Sequence, residues 1–105
     1  MIYTINNIKI HVGTDAASNW SLLDKNPSYI WMHLKSFPSC YVIIESDCPG
    51  ETVLYESALL CKKHTKYRNV PNLYVIYTHC NNLIKGKEIG TVIIKSKRKV
   101  NKIKV

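Results

Sequence analysis

The sequence predicts an α+β domain in which one long helix packs on a mainly antiparallel sheet, with one short helix near the N-terminus. Several short runs alternate apolar and polar residues or are rich in branched and aromatic side chains, which is typical of strands. Only residues 51–66 repeat apolar residues at three- and four-residue steps over several turns, which indicates a long amphipathic helix. Many strands with a single long helix favour α+β over alternating α/β architecture.

The length of 105 residues is that of one domain, and we expect a single domain spanning residues 1–105. Hydrophobic residues make up 46% and charged residues 21%, a balance typical of globular proteins. No apolar run approaches the ~20 residues that span a bilayer. The first seven residues contain no basic segment and no small-residue cleavage site. We therefore expect a cytoplasmic protein with no membrane association.

The first elements are two short strands and a helix. Residues 2–5 and 8–12 predict strands on either side of an Asn-rich turn, and the second run alternates apolar and polar residues. Thr14 or Asp15 can cap a short helix over residues 16–23, because both side chains accept hydrogen bonds from free backbone amides.

The central elements alternate strands with the long helix. Residues 29–34 and 40–45 predict two strands separated by a turn, and the helix over 51–66 follows. Its acidic residues come early and its basic residues late, which suits the helix dipole. Residues 73–78 predict a further strand.

The last part of the chain predicts a polar connection over residues 81–90 and then a terminal hairpin. Its two strands are residues 91–94 and 100–105, joined by the basic turn Lys97–Lys99. The last strand alternates apolar residues with Asn or Lys, so one face should pack against the core and the other should be solvent-exposed and basic.

The charge is distributed unevenly along the chain, whose net charge is +8. Residues 1–60 carry three Lys and six acidic residues, whereas residues 61–105 carry twelve Lys or Arg and only Glu88 as an acid. Such an imbalance predicts a polyanionic partner, with nucleic acid favoured over an anionic membrane face. An ordinary solvated surface is the alternative, since the Lys, Ile, Asn and Tyr content also fits an AT-rich coding sequence.

The predicted nucleic-acid-binding residues are basic and come from the end of the long helix, the polar connection and the terminal hairpin. They are Lys35, Lys62, Lys63, Lys66, Arg68, Lys85, Lys87, Lys95, Lys97, Arg98, Lys99 and Lys102, and Lys104 extends the same basic strand. Cations that neutralise phosphates release counterions and give salt-dependent affinity. An exposed Tyr67, Tyr74 or Tyr77 would add stacking on unpaired bases.

The predicted strand 29–34 places Trp31 and His33 on one face. His33 can hold a phosphate or a base edge beside Lys35, or it can be a sheet-face histidine satisfied by a backbone carbonyl. The structural interpretation is favoured for His33, and packing is favoured for Trp31.

The four cysteines lie at irregular spacings, and reduced thiols are expected in an intracellular protein. Cys61 and His64 share a helix face, but His79 and Cys80 are strand neighbours and point in opposite directions. We therefore expect no metal site and no cofactor.

No catalytic motif is present: the sequence has neither a Gly-x-Ser-x-Gly elbow nor a phosphate-binding Gly loop. We expect that the protein is not an enzyme. Two alternatives stay open: a protein-protein interaction module, and a small nuclease that would use His11, Asp15 and His33.

A set of short motifs, in order along almost the whole chain, resembles the NFACT-R domain. These motifs lie at residues 13–19 (including Gly13 and Asn19), 22–23, 30–33, 38–42, 57–66, 75–78 and 90–92. The NFACT-R domain occurs in ribosome-quality-control factors, which bind the large ribosomal subunit and tRNA. It also forms the N-terminal domain of the coiled-coil domain-containing protein 25 family.

The resemblance implies non-catalytic binding of structured RNA, tRNA or rRNA, and ribosome association linked to translation or ribosome quality control. DNA stays open as a partner, because both nucleic acids present phosphates; the oligomeric state is not indicated. We expect Gly13 and Asn19 to shape the loop beside the basic surface. The sequence departs from the family pattern where Thr14 replaces a basic residue, Tyr29 replaces Asp, and Ser39, Cys40 and Tyr41 replace Gly-Ser-His.

Overall fold

A computed structural model describes all 105 residues. The chain forms two helices, eight strands and two 3-10 turns, joined by loops. The elements are β1 (Ile2–Ile5), β2 (Ile8–Val12), α1 (Ala16–Leu23), β3 (Ile30–Leu34), β4 (Val42–Ile44), α2 (Glu51–Lys63), β5 (Tyr74–His79), β6 (Leu83–Lys85), β7 (Val92–Ile94) and β8 (Asn101–Lys104). The 3-10 turns are Cys80–Asn82 and Lys97–Lys99. Neither helix has the length and apolar composition of a membrane-spanning segment.

Six strands form one antiparallel sheet in the order β1-β2-β4-β3-β5-β8, and β6 and β7 form a separate two-stranded sheet. The α+β class and the mainly antiparallel sheet are therefore confirmed. Helix α1 has eight residues and follows two strands at the expected positions, whereas α2 has thirteen residues and is shorter than the expected 51–66, so the two helices differ less in length than expected.

Helix α2 covers one face of the large sheet. It buries Val53, Ala58 and Cys61, which lie on one side of the helix. Alternate residues of the central strands point toward α2, because side chains along a strand alternate between the two faces of the sheet. The buried strand residues of this core are Ile10, Val12, Ile30, Met32, Leu34, Val42, Ile44 and Val75.

The second face is partly covered by α1 and the β6–β7 hairpin. Trp31, Tyr41 and Ile43 are buried there, with α1 and hairpin side chains packed against them. The indole Nε1 of Trp20 in α1 donates to the carbonyl oxygen of Thr91, 2.8 Å away, and so fastens the helix to the hairpin.

Helix α2 ends at Lys63 and not at residue 66. The Thr65 backbone amide and hydroxyl both donate to the carbonyl oxygen of Lys62, at 3.1 and 2.9 Å. These bonds turn the chain away from the helix axis, so Lys66 and Arg68 lie beyond the helix end.

The prediction of a terminal hairpin is wrong, because β7 and β8 do not pair with each other. Strand β7 pairs with β6, a strand inside the segment expected to be a polar connection, and β8 pairs with β5. The Asn82 side chain bonds both backbone groups of Ser96, at 2.9 and 3.0 Å, which holds the end of β7 beside the start of β6. Partial burial of Ile103 opposite Val75 favours β8 at the edge of the large sheet. Lys97–Lys99 therefore links two sheets and is not a hairpin tip.

Candidate nucleic-acid interface

Strand β8 presents a row of lysines on the second face of the sheet. Lys102 lies opposite Ile76 and Lys104 opposite Tyr74, while Ile103 between them points to the α2 side. The Lys102 Nζ lies 4.8 Å from the centroid of the Tyr74 ring. A cation and an aromatic ring are thus adjacent at the open edge of the sheet.

A shallow groove of about 610 Å³ brings three of the predicted residues together. Lys35, Lys97 and Lys102 line this groove, which we call the basic groove, and Ile76 contributes an apolar side chain. The Lys35 backbone amide donates to the Tyr74 carbonyl oxygen at 2.9 Å, so residue 35 is fixed beside β5. All three lysines are exposed.

The cations at the end of α2 divide between two places. The Lys62 Nζ donates to the Val105 carbonyl oxygen at 3.3 Å, which brings it to the end of β8. The Lys66 Nζ lies 5.4 Å from the Tyr67 ring, and the Arg68 guanidinium donates to the Thr65 carbonyl oxygen at 3.4 Å. Lys63 is exposed.

The remaining predicted cations lie on the β6–β7 hairpin and in the 3-10 turn. Lys85, on strand β6 and not in a loop, forms an ion pair with Asp24 at 2.7 Å. Lys87 and Lys95 are exposed before and after β7. Arg98 and Lys99 are exposed beside Lys97, and the Lys99 carbonyl oxygen accepts a hydrogen bond from the Thr78 hydroxyl at 2.9 Å.

Most of these cations have no acidic partner. The protein has two ion pairs, Lys85–Asp24 and His11–Glu45. Of the twelve Lys and Arg residues after position 60, only Lys85 therefore lies within 4.0 Å of a carboxylate side chain. The electropositive character expected from the sequence is thus left unneutralised along β8 and at the end of α2.

Glu45 lies at the other end of the sheet from Lys35. It follows Ile44, which pairs with the first residue of β3, whereas Lys35 follows the last residue of β3. The hydrogen bond from His11 lowers the pKa of Glu45, and the charges of Lys9 and Lys25 act in the same direction. This carboxylate is therefore engaged far from the basic groove.

Trp31 and His33 lie on the second face, as their alternation predicts. Trp31 is only 2% exposed, so it packs and offers no surface for a base. The His33 ring stacks on it with 5.7 Å between centroids, and its Nδ1 lies 2.6 Å from the Leu34 carbonyl oxygen. Burial lowers the pKa of His33, which favours the neutral ring.

Gly13 and Asn19 join α1 to the start of β4. The Asn19 Oδ1 accepts from the Tyr41 backbone amide at 3.2 Å, and the Gly13 amide donates to the Tyr41 carbonyl oxygen at 2.9 Å. A Cβ on Gly13 would lie 1.9 Å from that Asn19 Oδ1, so the close approach requires glycine. The Tyr41 hydroxyl donates to the Gly90 carbonyl oxygen, and burial raises the pKa of Tyr41 to about 12.

The same two residues line a second groove of about 700 Å³, which we call the Asn19 groove. It also contains Cys40, His64 and Lys66, so part of the α2 end faces this groove and not the basic groove.

The residues of the nuclease alternative each have a separate partner. The Asp15 carboxylate caps α1 by accepting from the Ser18 amide at 2.8 Å. His11 is held by Glu45, and His33 by a backbone carbonyl. The structure therefore does not join these three side chains in one cluster, and no group of three or more His, Cys, Asp or Glu is arranged to hold a metal ion.

The sequence alone does not indicate Ile76 as a groove residue. Its place depends on the pairing of β5 with β8, which puts it opposite Lys102. The alternating patterns of β5 and β8 would place Ile76 and Lys102 on the same face of the sheet, but only once the pairing of the two strands is known.

Neither a family model nor a curated protein sequence matches the chain. A solved structure with a similar fold is that of the C-terminal part of the fibronectin/fibrinogen-binding protein from Streptococcus suis. The TM-score is 0.88 at 23% sequence identity, and the match covers 99% of this chain and 43% of that chain. The chain thus spans less than half of that solved chain, and the likeness shows a shared fold.

Proposed function

We propose that this protein is a non-catalytic nucleic-acid-binding module of the NFACT-R type, which binds structured RNA such as tRNA or rRNA. The observation that carries the proposal is the set of lysines at β8 and the basic groove, none of which is paired with a carboxylate side chain. Unpaired lysines of this kind attract polyphosphate chains.

The binding surface consists of Lys35, Lys97 and Lys102 in the basic groove, with Lys62 and Lys104 at the end of β8. An open groove with several cations on its walls suits a sugar-phosphate backbone, because each lysine can neutralise one phosphate. Tyr74 adds an aromatic ring beside Lys102, which supports stacking on an unpaired base.

A cytoplasmic role in translation or ribosome quality control, with the ribosome as partner, is part of the proposal and rests on the resemblance to NFACT-R. Phosphate contacts distinguish RNA poorly from DNA. The ligand series below therefore includes both.

Fluorescence anisotropy with labelled tRNA, duplex RNA, single-stranded RNA and duplex DNA tests the proposal at about 50 mM and about 200 mM salt. We expect binding that weakens steeply with salt and is strongest for tRNA. The Lys97→Ala/Lys102→Ala variant should bind more weakly. The matched control is Lys9→Ala/Lys25→Ala, which removes the same charge near Glu45. Equal loss in both variants, or no binding of any nucleic acid by the wild type, refutes the proposal.

Docking on a protein is a second candidate function, favoured by the similar solved structure, which belongs to a protein named for binding fibronectin and fibrinogen. The β6–β7 hairpin supports it, because the cross-strand pair Ile84 and Ile93 is 51% and 57% exposed and Ile89 in the intervening loop is 58% exposed. Biolayer interferometry with immobilised fibronectin and fibrinogen tests it. Binding that survives nuclease treatment and is lost in Ile93→Asp would favour this function. Absence of binding to both proteins would exclude these two ligands.

A further inference from the structure

Cys40 and Cys61 lie against each other between α2 and the start of β4. The Cys40 Sγ lies 4.0 Å from the Cys61 carbonyl oxygen, and the Cys61 Sγ lies 3.9 Å from the Cys40 carbonyl oxygen. Each thiol thus donates to the backbone of the other cysteine. The two side chains are therefore neighbours in the structure, although the two residues are far apart in the sequence.

The two thiols differ in their access to solvent. Cys40 is half-buried and lines the open Asn19 groove together with His64 and Lys66. Cys61 is 0% exposed. Cys40 is therefore the more accessible of the two residues to a small reagent that enters the groove, whereas Cys61 is closed off from solvent.

The local chemistry gives the reachable sulfur the greater thiolate character. The neighbouring Cys61 thiol lowers the pKa of Cys40, against the opposing effect of burial. The neighbouring Cys40 thiol and burial both raise the pKa of Cys61. Thiolate character and exposure together determine which cysteine an oxidant attacks first.

We propose that Cys40 and Cys61 form a reversible redox modification site, in which a hydroperoxide oxidises Cys40 and Cys61 then closes a disulfide bond. The site is separate from the basic groove, and the inference does not depend on nucleic-acid binding.

The reaction has two steps. In the first, the Cys40 thiolate attacks the hydroperoxide; a sulfur–oxygen bond forms, the oxygen–oxygen bond breaks, and the departing oxyanion takes a proton from solvent, which gives an alcohol from an organic hydroperoxide and water from hydrogen peroxide. In the second, the Cys61 sulfur attacks the Cys40 sulfenic acid; a sulfur–sulfur bond forms, and hydroxide leaves with the Cys61 proton as water. The two thiols lose two electrons and the hydroperoxide gains them. A dithiol reductant restores the starting state by thiol–disulfide exchange.

The test treats the reduced 105-residue chain with stoichiometric hydrogen peroxide, blocks free thiols with N-ethylmaleimide, and maps the products by mass spectrometry. We expect the loss of two of the four free thiols and a disulfide-linked peptide pair containing Cys40 and Cys61. Cys48 and Cys80 should be alkylated after denaturation, and dithiothreitol should restore all four thiols. The Cys48→Ser variant is the matched control, because Cys48 is exposed and outside the pair, and it should form the bridge as the wild type does.

The Cys61→Ser variant separates the two steps. We expect its Cys40 to stop at the sulfenic acid, which dimedone labels. The Cys40→Ser variant should lose the reaction with peroxide at this site, and it provides a second test if the Cys61→Ser substitution prevents folding. Alkylated Cys40 and Cys61 in peroxide-treated wild type, or disulfides formed only through Cys48, would overturn the proposal.

Discussion

Removing Lys97 and Lys102 together should change the salt dependence of RNA binding by a predictable amount. Five lysines of the proposed surface are free of carboxylate side-chain partners: Lys35, Lys62, Lys97, Lys102 and Lys104. If each neutralises one phosphate of a double-helical stem, the slope of log affinity against log salt is about −4.5, from about −0.9 per phosphate. Affinity should then fall roughly 500-fold between about 50 and about 200 mM salt.

The double variant retains three of the five contacts, so its slope should be about −2.7 and its affinity should fall roughly 40-fold over the same range. Anisotropy titrations of a labelled tRNA at four or more salt concentrations measure both slopes. The Lys9→Ala/Lys25→Ala control has the same net charge as the Lys97→Ala/Lys102→Ala variant. It should nevertheless retain the wild-type slope. A double-variant slope equal to that of the wild type would mean that neither lysine contacts a phosphate, and the basic groove would then not be the binding surface.

Three further predictions concern the stability of the fold. Gly13→Ala should destabilise the protein by about 1–3 kcal/mol in urea unfolding, because the new Cβ displaces the Asn19 oxygen and the backbone amide that it binds loses its partner. The Asn19→Ala background should reduce the additional cost of Gly13→Ala, and full additivity would argue against the clash. Asp15→Ala should cost about 1 kcal/mol and speed amide exchange at Ser18, since the helix loses its N-cap; unchanged exchange would contradict this. Burial holds the pKa of His33 below its ordinary value of 6.5, so its contribution to stability is complete above pH 6.5 and declines as the pH falls toward the folded-state pKa. The wild type should therefore lose stability more steeply below pH 6.5 than His33→Gln, and parallel curves would count against a neutral buried ring.

Local patterns predict the elements whose partners are close in the chain. The first hairpin is an example, because Asn6 and Asn7 adopt φ angles of 50° and 65°, which suit a tight turn between two strands. The alternation in residues 30–34 likewise places Met32 and Trp31 on opposite faces, and the structure has Met32 on the α2 side and Trp31 on the second face. In both cases the signal lies within a few residues of the element.

Long-range pairing is not predictable from these patterns. Strand β6 has only three residues, too few for a recognisable alternation, so the sequence gives no sign of the partner of β7. Chain proximity then favours pairing β8 with β7, although β8 pairs with β5. The cations can be identified by type, but the basic groove depends on this pairing, and the sequence therefore does not separate Lys102 from the ion-paired Lys85. The contact of Cys40 with Cys61 likewise carries no signal in the sequence spacing.

An amide chemical-shift map of the isotope-labelled protein, titrated with tRNA at low salt, locates the binding surface without any substitution. We expect the largest shifts on Lys35, Tyr74 and residues 97–104, with little change around Lys9 and Glu45. Shifts centred on the β6–β7 hairpin without change at the basic groove, or a spectrum unaffected by tRNA, would show that the lysines of β8 and the basic groove do not bind RNA.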